Sequence, residues 1–398
     1  MPELIPFRWP KEWKDPARLG LIQGTPINCL VGEAPPPFAI GDLKFVKLEK
    51  DKPPEGIVLR TGVWPRVLPA QRKDVAEAGP TGAPWVDSNT GVIRLARTRE
   101  PGRPVWLDYA PPGGKEVIPL SSFARPIAEA ASHGARWIIT LSQPFLAGLD
   151  ARSDDALKNW KRMVAALNFF QRKPEWRGWE PVAALAVVSS FEGETEMLSA
   201  EFLNLAPRRQ LAYRAVRIED VPKTSFEKQK AVVYIDARPP QGEVLKRLLA
   251  FVEAGGFLIS PRGIVKTGPV ETRMQYQFHR LGKGQIAVPP DAWYDPYLVV
   301  RQVHLLMSHR LDVVRVWNGS DVGSYHLASP KGERGVVHLI QYGSARTQPV
   351  TLGFDKAYRS ARVYSLDSER VVKPVKGQLG VEIPVGEFSD YAAVEVEA

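Results

Sequence analysis

The 398-residue chain has a formal net charge of +9 and 44% hydrophobic residues, enough for two to three domains with large cores. Its basic residues form no long block or nucleic-acid motif, and no apolar run approaches the roughly 20 residues of a membrane helix, so we expect neither a nucleic-acid nor a membrane partner. Cys29 is the only cysteine, which excludes an intramolecular disulfide and a thiolate metal cage.

The N-terminal sequence MPELIPFRWPKEW lacks the apolar core of a signal peptide. We therefore expect a soluble chain that is cytoplasmic, or one that is secreted or periplasmic if a signal peptide has been removed. The sequence leaves the compartment open.

Residues 1–179 have the composition of a region with many irregular connections: 19 of the 36 prolines precede residue 121, and nine of the 11 tryptophans precede residue 180. A complete eight-fold barrel takes about 250 residues, so this shorter region predicts a truncated or irregular (β/α) barrel-like domain. The predicted strands are Leu19–Glu33, Gly56–Arg60, Val105–Asp108 and Arg136–Leu141. The predicted helices are Phe123–His133 and Asp154–Phe170, the second capped by Ser153.

Residues 180–309 alternate short apolar runs with amphipathic helices, which predicts a doubly wound parallel α/β domain. Such a domain is flavodoxin-like or resembles the class I amidotransferases. The predicted strands are Pro181–Ser190, Ala231–Asp236, Phe257–Ser260 and Leu281–Pro289. The predicted helices are Met197–Ala206, Val244–Val252 and Asp295–Arg310.

Residues 310–398 change to a period of two, with short strands separated by turns rich in Gly, Ser and Asp. This pattern predicts a C-terminal antiparallel β-sandwich. The predicted strands are Gly335–Tyr342, Pro349–Phe354, Ser360–Leu366, Leu379–Pro384 and Tyr391–Val396.

The loop after the first central strand lies where open parallel sheets bind ligands. It carries Glu192, Glu194 and Glu196, which would repel a nucleotide or flavin phosphate. We interpret these carboxylates as partners of a helix N-terminus capped by Thr195. No P-loop or dinucleotide fingerprint occurs, and the six histidines lack metal-ligand spacing, so we expect no cofactor and no metal site.

Three carboxylates of the first region, Glu33, Asp87 and Asp108, lie at or beyond the ends of predicted strands, where barrel enzymes place catalytic groups. Glycoside hydrolysis uses one carboxyl as acid and a second as nucleophile or base. Turn chemistry around Asp87 is an equally good explanation, because Asp-Ser-Asn-Thr-Gly favours turns.

Four further residues beside these carboxylates, Trp85, Asn89, Trp106 and Tyr109, are the predicted substrate-binding residues. Aromatic rings can face sugars. Trp85 lies two residues before Asp87, so both side chains point to one face of an extended backbone. The alternative is that the tryptophans belong to the core.

A cluster of Arg94, Arg97, Arg99 and Arg103 is the densest basic segment. We interpret it as a solvated edge strand and turn rather than a polyanion site, because nucleic-acid binding normally adds a recognisable module.

Four segments carry a resemblance to a known family: GTPINCLV (Gly24–Val31), GPTGAPWVDSN (Gly79–Asn89), LLAFVEAGGFLI (Leu248–Ile259) and the tail from Val336 to Glu397. With the order of regions, they resemble the bacterial β-galactosidases that combine a barrel, an amidotransferase-like trimerisation domain and a β-sandwich. The resemblance implies a carbohydrate ligand and a homo-oligomer formed through the central domain. Amidotransferase activity itself is excluded, because that family needs a cysteine nucleophile in this domain.

The chain departs from the galactosidases in one respect: it contains no Asn-Glu pair, the motif that holds their catalytic acid. Two hypotheses therefore stay open. The first is a glycoside hydrolase that uses two of Glu33, Asp87 and Asp108. The second is a non-catalytic carbohydrate-binding or assembly protein built on a glycosidase scaffold.

Overall fold

The computed structural model describes residues 3–49, 52–67, 86–111, 118–261, 264–265, 268–290, 293, 295–308, 311–319, 321–344, 346–377 and 380–398. Trp85, one of the predicted binding residues, lies outside the described residues. No helix within the described ranges combines the length and apolar character needed to span a bilayer.

The first region contains mostly short strands and helices. Its strands are β1 (Pro6–Arg8), β2 (Cys29–Gly32), β3 (Lys44–Lys47), β4 (Val58–Thr61), β5 (Arg66–Val67), β6 (Val86–Asp87), β7 (Val105–Asp108) and β8 (Arg136–Trp137). Its helices are α1 (Thr90–Arg99), α2 (Ala124–Ser132), α3 (Gln143–Asp150) and α4 (Asp154–Gln171). The Ser153 hydroxyl accepts a hydrogen bond from the Ala156 N–H, which confirms the predicted cap of α4.

Six of these strands run parallel. β1, β2 and β3 pair in one set and β4, β7 and β8 in another. A parallel bridge between Phe7 and Ile139, just beyond β8, joins the two sets. The resulting order, β3-β2-β1-β8-β7-β4, places the last strand beside the first. β5 and β6 form a separate antiparallel pair.

The two faces of this sheet bury different cores. Side chains of one face pack with helices α2, α3 and α4. The other face buries a small cluster contributed by several strands, including Cys29, Val31, Trp106 and Ile138. Since residues of β2 and β7 share that cluster with Ile138, which directly follows β8, the sheet curls around Trp106, whose side chain is 1% exposed.

Two local predictions for the first region are wrong. Only Cys29–Gly32 of the predicted strand 19–33 is extended, because Pro16–Leu21 forms a 3₁₀ helix capped by Asp15. Residues 90–99 form helix α1 rather than an edge strand and turn. A side chain at Gly91 would come within 2.9 Å of the Ala200 carbonyl oxygen, so this glycine permits close packing of α1 against a later helix.

Arg94 of α1 is buried rather than solvated. Its guanidinium donates to the Tyr213 carbonyl oxygen. It lies 3.6 Å from the centre of the Tyr213 ring and 4.6 Å from that of Tyr325. Two aromatic faces and a carbonyl thus compensate for the lost hydration of this cation.

The central region contains a seven-stranded sheet. After β9 (Glu180–Pro181) follow β10 (Leu185–Ser189), β11 (Tyr213–Arg217), β12 (Ala231–Tyr234), β13 (Phe257–Ile259), β14 (Glu271–Arg273), β15 (Tyr276–Leu281) and β16 (Gly284–Val288). Its helices are α5 (Glu196–Leu205), α6 (Gly242–Glu253) and α7 (Pro296–Met307). The order is β11-β10-β12-β13-β16-β15-β14, and the first five strands are parallel.

The predicted parallel arrangement of the central strands is confirmed. Relative to chain order, the five parallel strands follow the sequence 2-1-3-4-5, a common doubly wound order. Helices α5 and α7 cover one face with Leu95 of α1, and α6 covers the other. The hairpin of β14 and β15 extends the sheet at one edge.

The terminal region contains strands arranged in two antiparallel sheets. Its strands are β17 (Val314–Trp317), β18 (Val322–Ala328), β19 (Arg334–Gln341), β20 (Val350–Phe354), β21 (Ser360–Tyr364), β22 (Glu369–Val372), β23 (Val375–Gly377), β24 (Gly380–Gly386) and β25 (Tyr391–Glu397). The four-stranded sheet has the order β17-β20-β24-β23, and the six-stranded sheet has the order β22-β21-β25-β19-β18-β9.

Both faces of the six-stranded sheet contribute to hydrophobic cores. One face shares a core with the four-stranded sheet. The other packs against the first region, where Phe170 of α4 lies 5.1 Å from the Tyr391 ring. Strand β9, at residues 180–181, joins this sheet by pairing with β18. The first and terminal regions therefore share one hydrophobic core.

Candidate functional site

A cleft of about 470 Å³ opens where β1, β2 and β8 end, and we call it the strand-end cleft. Its lining combines charged side chains with an apolar wall of tryptophan and proline. The lining residues are Arg8, Trp9, Pro10, Lys11, Glu12, Trp13, Lys14, Gly32, Glu33, Ala34, Pro35, Pro36, Pro37, Thr140, Leu141, Gln143 and Leu146. Carboxyl ends of parallel strands meet at one edge of a sheet, which is why residues from positions 8 to 146 converge here.

Strand alternation explains which side chains reach this edge. Trp106 and Ile138 belong to the core inside the curled sheet. Asp108 and Thr140, each two residues further along the chain, therefore project from the same face beyond that core. Trp106 thus supports the edge from beneath, and its buried ring offers no open face to a ligand.

Arg8 joins the cleft to Asp108. Its guanidinium forms a hydrogen-bonded ion pair with the Asp108 carboxylate, and both side chains are about one-third exposed. Arg8 lines the cleft and Asp108 does not. Asp108 is therefore connected to the cleft only through its ion pair with Arg8.

Glu33 is the predicted site carboxylate that does line the cleft. Its Oε2 lies 2.9 Å from Lys11 Nζ, and each side chain is 76% exposed. The hydrogen bond and charge of Lys11 lower the pKa of Glu33. A carboxyl with a lowered pKa is ionised at neutral pH, so Glu33 is equipped to accept hydrogen bonds rather than to donate a proton.

Glu12 is a second carboxylate in the cleft, one that the sequence analysis did not select. The side-chain amide of Gln143 donates to its Oε1 over 3.3 Å. Glu12 precedes no recognisable motif and follows no long strand. The only sequence signal for Glu12 as a cleft residue is its position three residues after Trp9, in the connection that follows β1.

Asp87 lies apart from the strand-end cleft lining. It ends β6, opposite Arg66 on β5, with 3.8 Å between Arg66 Nε and Asp87 Oδ2. Tyr109 is partly buried, and its ring centre lies 5.7 Å from both Trp64 and Trp137. The structure therefore does not bring Asp87 and Glu33 to one cleft.

Asn89 is buried and serves the junction between the first and terminal regions. Its Oδ1 accepts from the Val63 N–H over 2.8 Å. Its backbone N–H and its side-chain amide donate to the carboxylate of Glu129 over 3.0 and 2.7 Å. The Tyr342 hydroxyl adds a third hydrogen bond of 2.7 Å to Glu129.

The Glu129 carboxyl is fully buried, and this desolvation raises its pKa although the three donors oppose the shift. Arg125, one helical turn earlier, donates to the carbonyl oxygens of Pro65, Tyr342 and Gly343. Together these contacts tie α2 to the terminal sheet. Since solvent does not reach this carboxyl, its three hydrogen bonds serve to join the first region to the terminal sheet.

The acidic loop after β10 is held by hydrogen bonds of its own. The Ser190 hydroxyl donates to Asp236 over 2.8 Å. The predicted cap by Thr195 is wrong, because its hydroxyl donates to the Glu192 carbonyl and accepts no helix N–H. Glu196 instead pairs with Arg99 of α1 at 3.3 Å. Within the described ranges, no group of three His, Cys, Asp or Glu side chains is placed to hold a metal ion.

No protein-family model matches the chain, and no curated protein matches it. Solved structures do share its fold. The α-L-fucosidase isoenzyme 2 from Paenibacillus thiaminolyticus is 14% identical with a TM-score of 0.51, over 78% of this chain and 64% of that one. The β-galactosidase from Bacillus circulans sp. alkalophilus is 10% identical with a TM-score of 0.52, over 78% and 58%. The rhamnosidase from Novosphingobium sp. PP1Y is 11% identical with a TM-score of 0.52, over 89% and 37%.

The chain shares its fold with these glycoside hydrolases. It spans less than two-thirds of the length of each of the three. At this level of identity the likeness concerns the fold alone, and the chemistry has to be argued from the side chains.

Proposed function

We propose that this protein is a carbohydrate-active protein that binds a sugar chain in the strand-end cleft. The observation that supports this most is the cleft itself, whose lining combines the exposed carboxylates of Glu12 and Glu33 with exposed prolines at 35 and 37. Trp9 and Trp13 also line it, with side chains that are largely buried. Sugars present apolar ring faces edged by hydroxyls, and such a mixed lining suits both. The cleft also occupies the strand ends where barrel enzymes bind substrates.

In this proposal Glu33 accepts hydrogen bonds from sugar hydroxyls, and Lys11 and Arg8 donate to sugar oxygens. Asp108 positions Arg8 through their ion pair. The lowered pKa of Glu33 suits a hydrogen-bond acceptor in binding. In hydrolysis the same ionised carboxylate would be the nucleophile or base.

Hydrolysis is the second candidate, favoured by the presence of two carboxylates, Glu12 and Glu33, in one cleft of a glycosidase-like fold. In that case one carboxyl acts as acid and the other as nucleophile or base.

We further propose a division into a truncated barrel-like domain at 1–179, an amidotransferase-like α/β domain at 180–309 and a β-sandwich at 310–398. The cyclic strand order of the first region supports the barrel assignment. The 2-1-3-4-5 order of the central strands supports the second. A homo-oligomer through the central domain is part of the same proposal.

The proposal is tested by a glycan array followed by calorimetric titration of the best short oligosaccharide. We expect Glu33→Gln to weaken binding about tenfold, because a charged acceptor is lost. Glu227→Gln, an exposed residue of the central region, is the matched control. Equal affinity of parent and Glu33→Gln would place the binding site elsewhere. A screen of chromogenic glycosides then separates the two candidates, since only a hydrolase releases the chromophore.

A further inference from the structure

Strand β14 (Glu271–Arg273) forms one edge of the seven-stranded central sheet. Every residue from 268 to 275 is exposed, so no described part of the chain covers this edge. Two exposed apolar side chains, Val270 at 58% and Met274 at 42%, lie directly before and after the strand. An uncovered edge offers its backbone hydrogen-bonding groups to another strand.

We propose that a second copy of this chain pairs with this edge, so that two central sheets join in a two-fold symmetric, antiparallel dimer. The inference rests on the proposed homo-oligomer, for which it names a surface and a symmetry, but not on carbohydrate binding. A two-fold pairing makes dimers, whereas the galactosidase resemblance implies trimers, so mass distinguishes the two assemblies.

The hairpin turn determines which backbone groups of β14 point outward. Its two turn residues have φ of 51° and 69°, so Arg273 and Tyr276 flank the turn as a hydrogen-bonded pair. Bonded pairs alternate along an antiparallel ladder, and Thr272 therefore directs its N–H and carbonyl away from β15. The Val270 N–H donates to the Phe278 carbonyl over 2.8 Å, which agrees with Phe278 as a member of the next bonded pair.

A two-fold axis at Thr272 gives a self-complementary register. The Thr272 N–H of each copy donates to the Thr272 carbonyl of the other, which satisfies the outward groups of both. Glu271 then lies opposite Arg273 of the second copy, and the symmetry repeats this pair. Residues that face each other in such a ladder have Cβ atoms about 4.5–5.5 Å apart, within reach of an ion pair.

Both charges are available for this pairing. Among the residues that the structure describes, neither Glu271 nor Arg273 has an ion-pair partner. The Arg273 guanidinium lies 4.7 Å from the centre of the Phe278 ring, on the same face of the hairpin as Glu271. A parallel pairing in register would place like charges opposite each other, so the charges favour the antiparallel arrangement.

The flanking apolar side chains extend the same register. Counting outward from Thr272 places Val270 beside Met274 of the second copy, and this contact also occurs twice. Their burial adds hydrophobic stabilisation. A three-residue edge buries less surface than the roughly 1,200 Å² of a standard interface, so we expect a weak dimer with a dissociation constant of about 10–100 µM.

The test is sedimentation equilibrium of the full chain from about 1 to 500 µM, where a dimer of this strength forms. Glu271→Arg and Arg273→Glu each place like charges opposite one another and should weaken dimerisation about tenfold or more. An equimolar mixture of the two variants brings opposite charges together again and should form a heterodimer as tightly as the parent dimerises. Glu227→Arg, the same charge change at another exposed position of the central region, is the control and should dimerise as the parent does. Thermal unfolding of each variant checks that the fold is intact.

The results separate this edge from the rest of the proposed function. Weakened dimers of both variants, with recovery in the mixture, support the pairing whatever the glycan array shows. Variants that stay monomeric when mixed overturn it, because the register then does not bring these charges together. A trimer, or a dimer that both variants form as well as the parent does, overturns the edge pairing alone. A parent that is monomeric throughout overturns both the pairing and the proposed homo-oligomer, and leaves carbohydrate binding unaffected.

Discussion

Glu33 and Glu129 are two carboxyl groups of the first region with opposite surroundings. Glu33 is solvent-exposed and has one lysine partner. Glu129 is fully buried and accepts three hydrogen bonds from two residues that are distant in sequence. Lysine lowers the pKa of the first group, whereas burial raises that of the second. A carboxyl with a shifted pKa marks a ligand site only if solvent and ligand can reach it. Glu129 shows that a shifted pKa can also belong to a buried group that joins parts of the fold.

The comparison predicts the largest effect for Glu129→Ala. The substitution leaves the Asn89 N–H, the Asn89 side-chain amide and the Tyr342 hydroxyl without their acceptor in a buried site. We expect the free energy of unfolding to fall by about 3 kcal/mol, as measured by urea denaturation. Glu227→Ala, at an exposed position, is the control. A loss similar to that of the control would show that the buried hydrogen bonds contribute nothing.

The pH dependence of stability sharpens the same contrast. The folded-state pKa of Glu129 is raised above its unfolded value, so the folded protein holds this proton to higher pH. The associated stability is fully present below the unfolded pKa and is lost as pH rises through the folded pKa. We therefore expect the parent to lose stability relative to Glu129→Gln as pH rises above the ordinary pKa of a glutamate carboxyl. Arg125 and Tyr342 face this group in both proteins, so a difference that stays constant with pH would contradict the raised pKa.

Asp108→Asn should have an intermediate effect. The ion pair with Arg8 connects β7 to β1, but both side chains are about one-third exposed and water screens the pair. We expect the free energy of unfolding to fall by roughly 0.5–1 kcal/mol, with a smaller loss in high salt. A loss as large as that for Glu129→Ala would show that the Arg8–Asp108 pair contributes as much as a buried hydrogen-bond network and is not screened by water.

Glu33→Gln should have the smallest effect on stability. Its only ion-pair partner among the described residues is the equally exposed Lys11, so the unfolding temperature should match that of the parent within error. The same variant is expected to bind sugar about tenfold more weakly. A clear drop in unfolding temperature would contradict this prediction and show that Glu33, like Glu129, contributes to the stability of the fold.

The sequence alone predicts the regular parts of the fold well. Continuous apolar runs such as LAVVS in β10 predict strands buried on both faces, and the structure pairs β10 in parallel with β11 and β12. The period of two after residue 310 predicts antiparallel strands, which the structure contains. These signals are local, because the pattern of burial along one element determines its type.

The burial of Arg94 and Glu129 could not be predicted from the sequence. Each is a charged residue on a short helix, where charged side chains are normally exposed. The groups that surround each side chain come from distant parts of the sequence. Tyr213 follows Arg94 by 119 residues, and Tyr342 follows Glu129 by 213 residues. The hydrophobic periodicity of one helix carries no information about partners that are distant in sequence.

The set of residues that line the cleft was also determined by the tertiary structure, because these residues are distant in sequence. The sequence selected Glu33, Asp87 and Asp108 because each lies at or beyond the end of a predicted strand, but only Glu33 lines the cleft, Asp108 contacts its lining through Arg8, and Asp87 pairs with Arg66 elsewhere. What separates them is the pairing of β1 with residues beyond β8, which brings Arg8 to Asp108 across 100 positions of sequence. Residue type and local pattern determine what a side chain can do, whereas strand pairing determines which side chains act together.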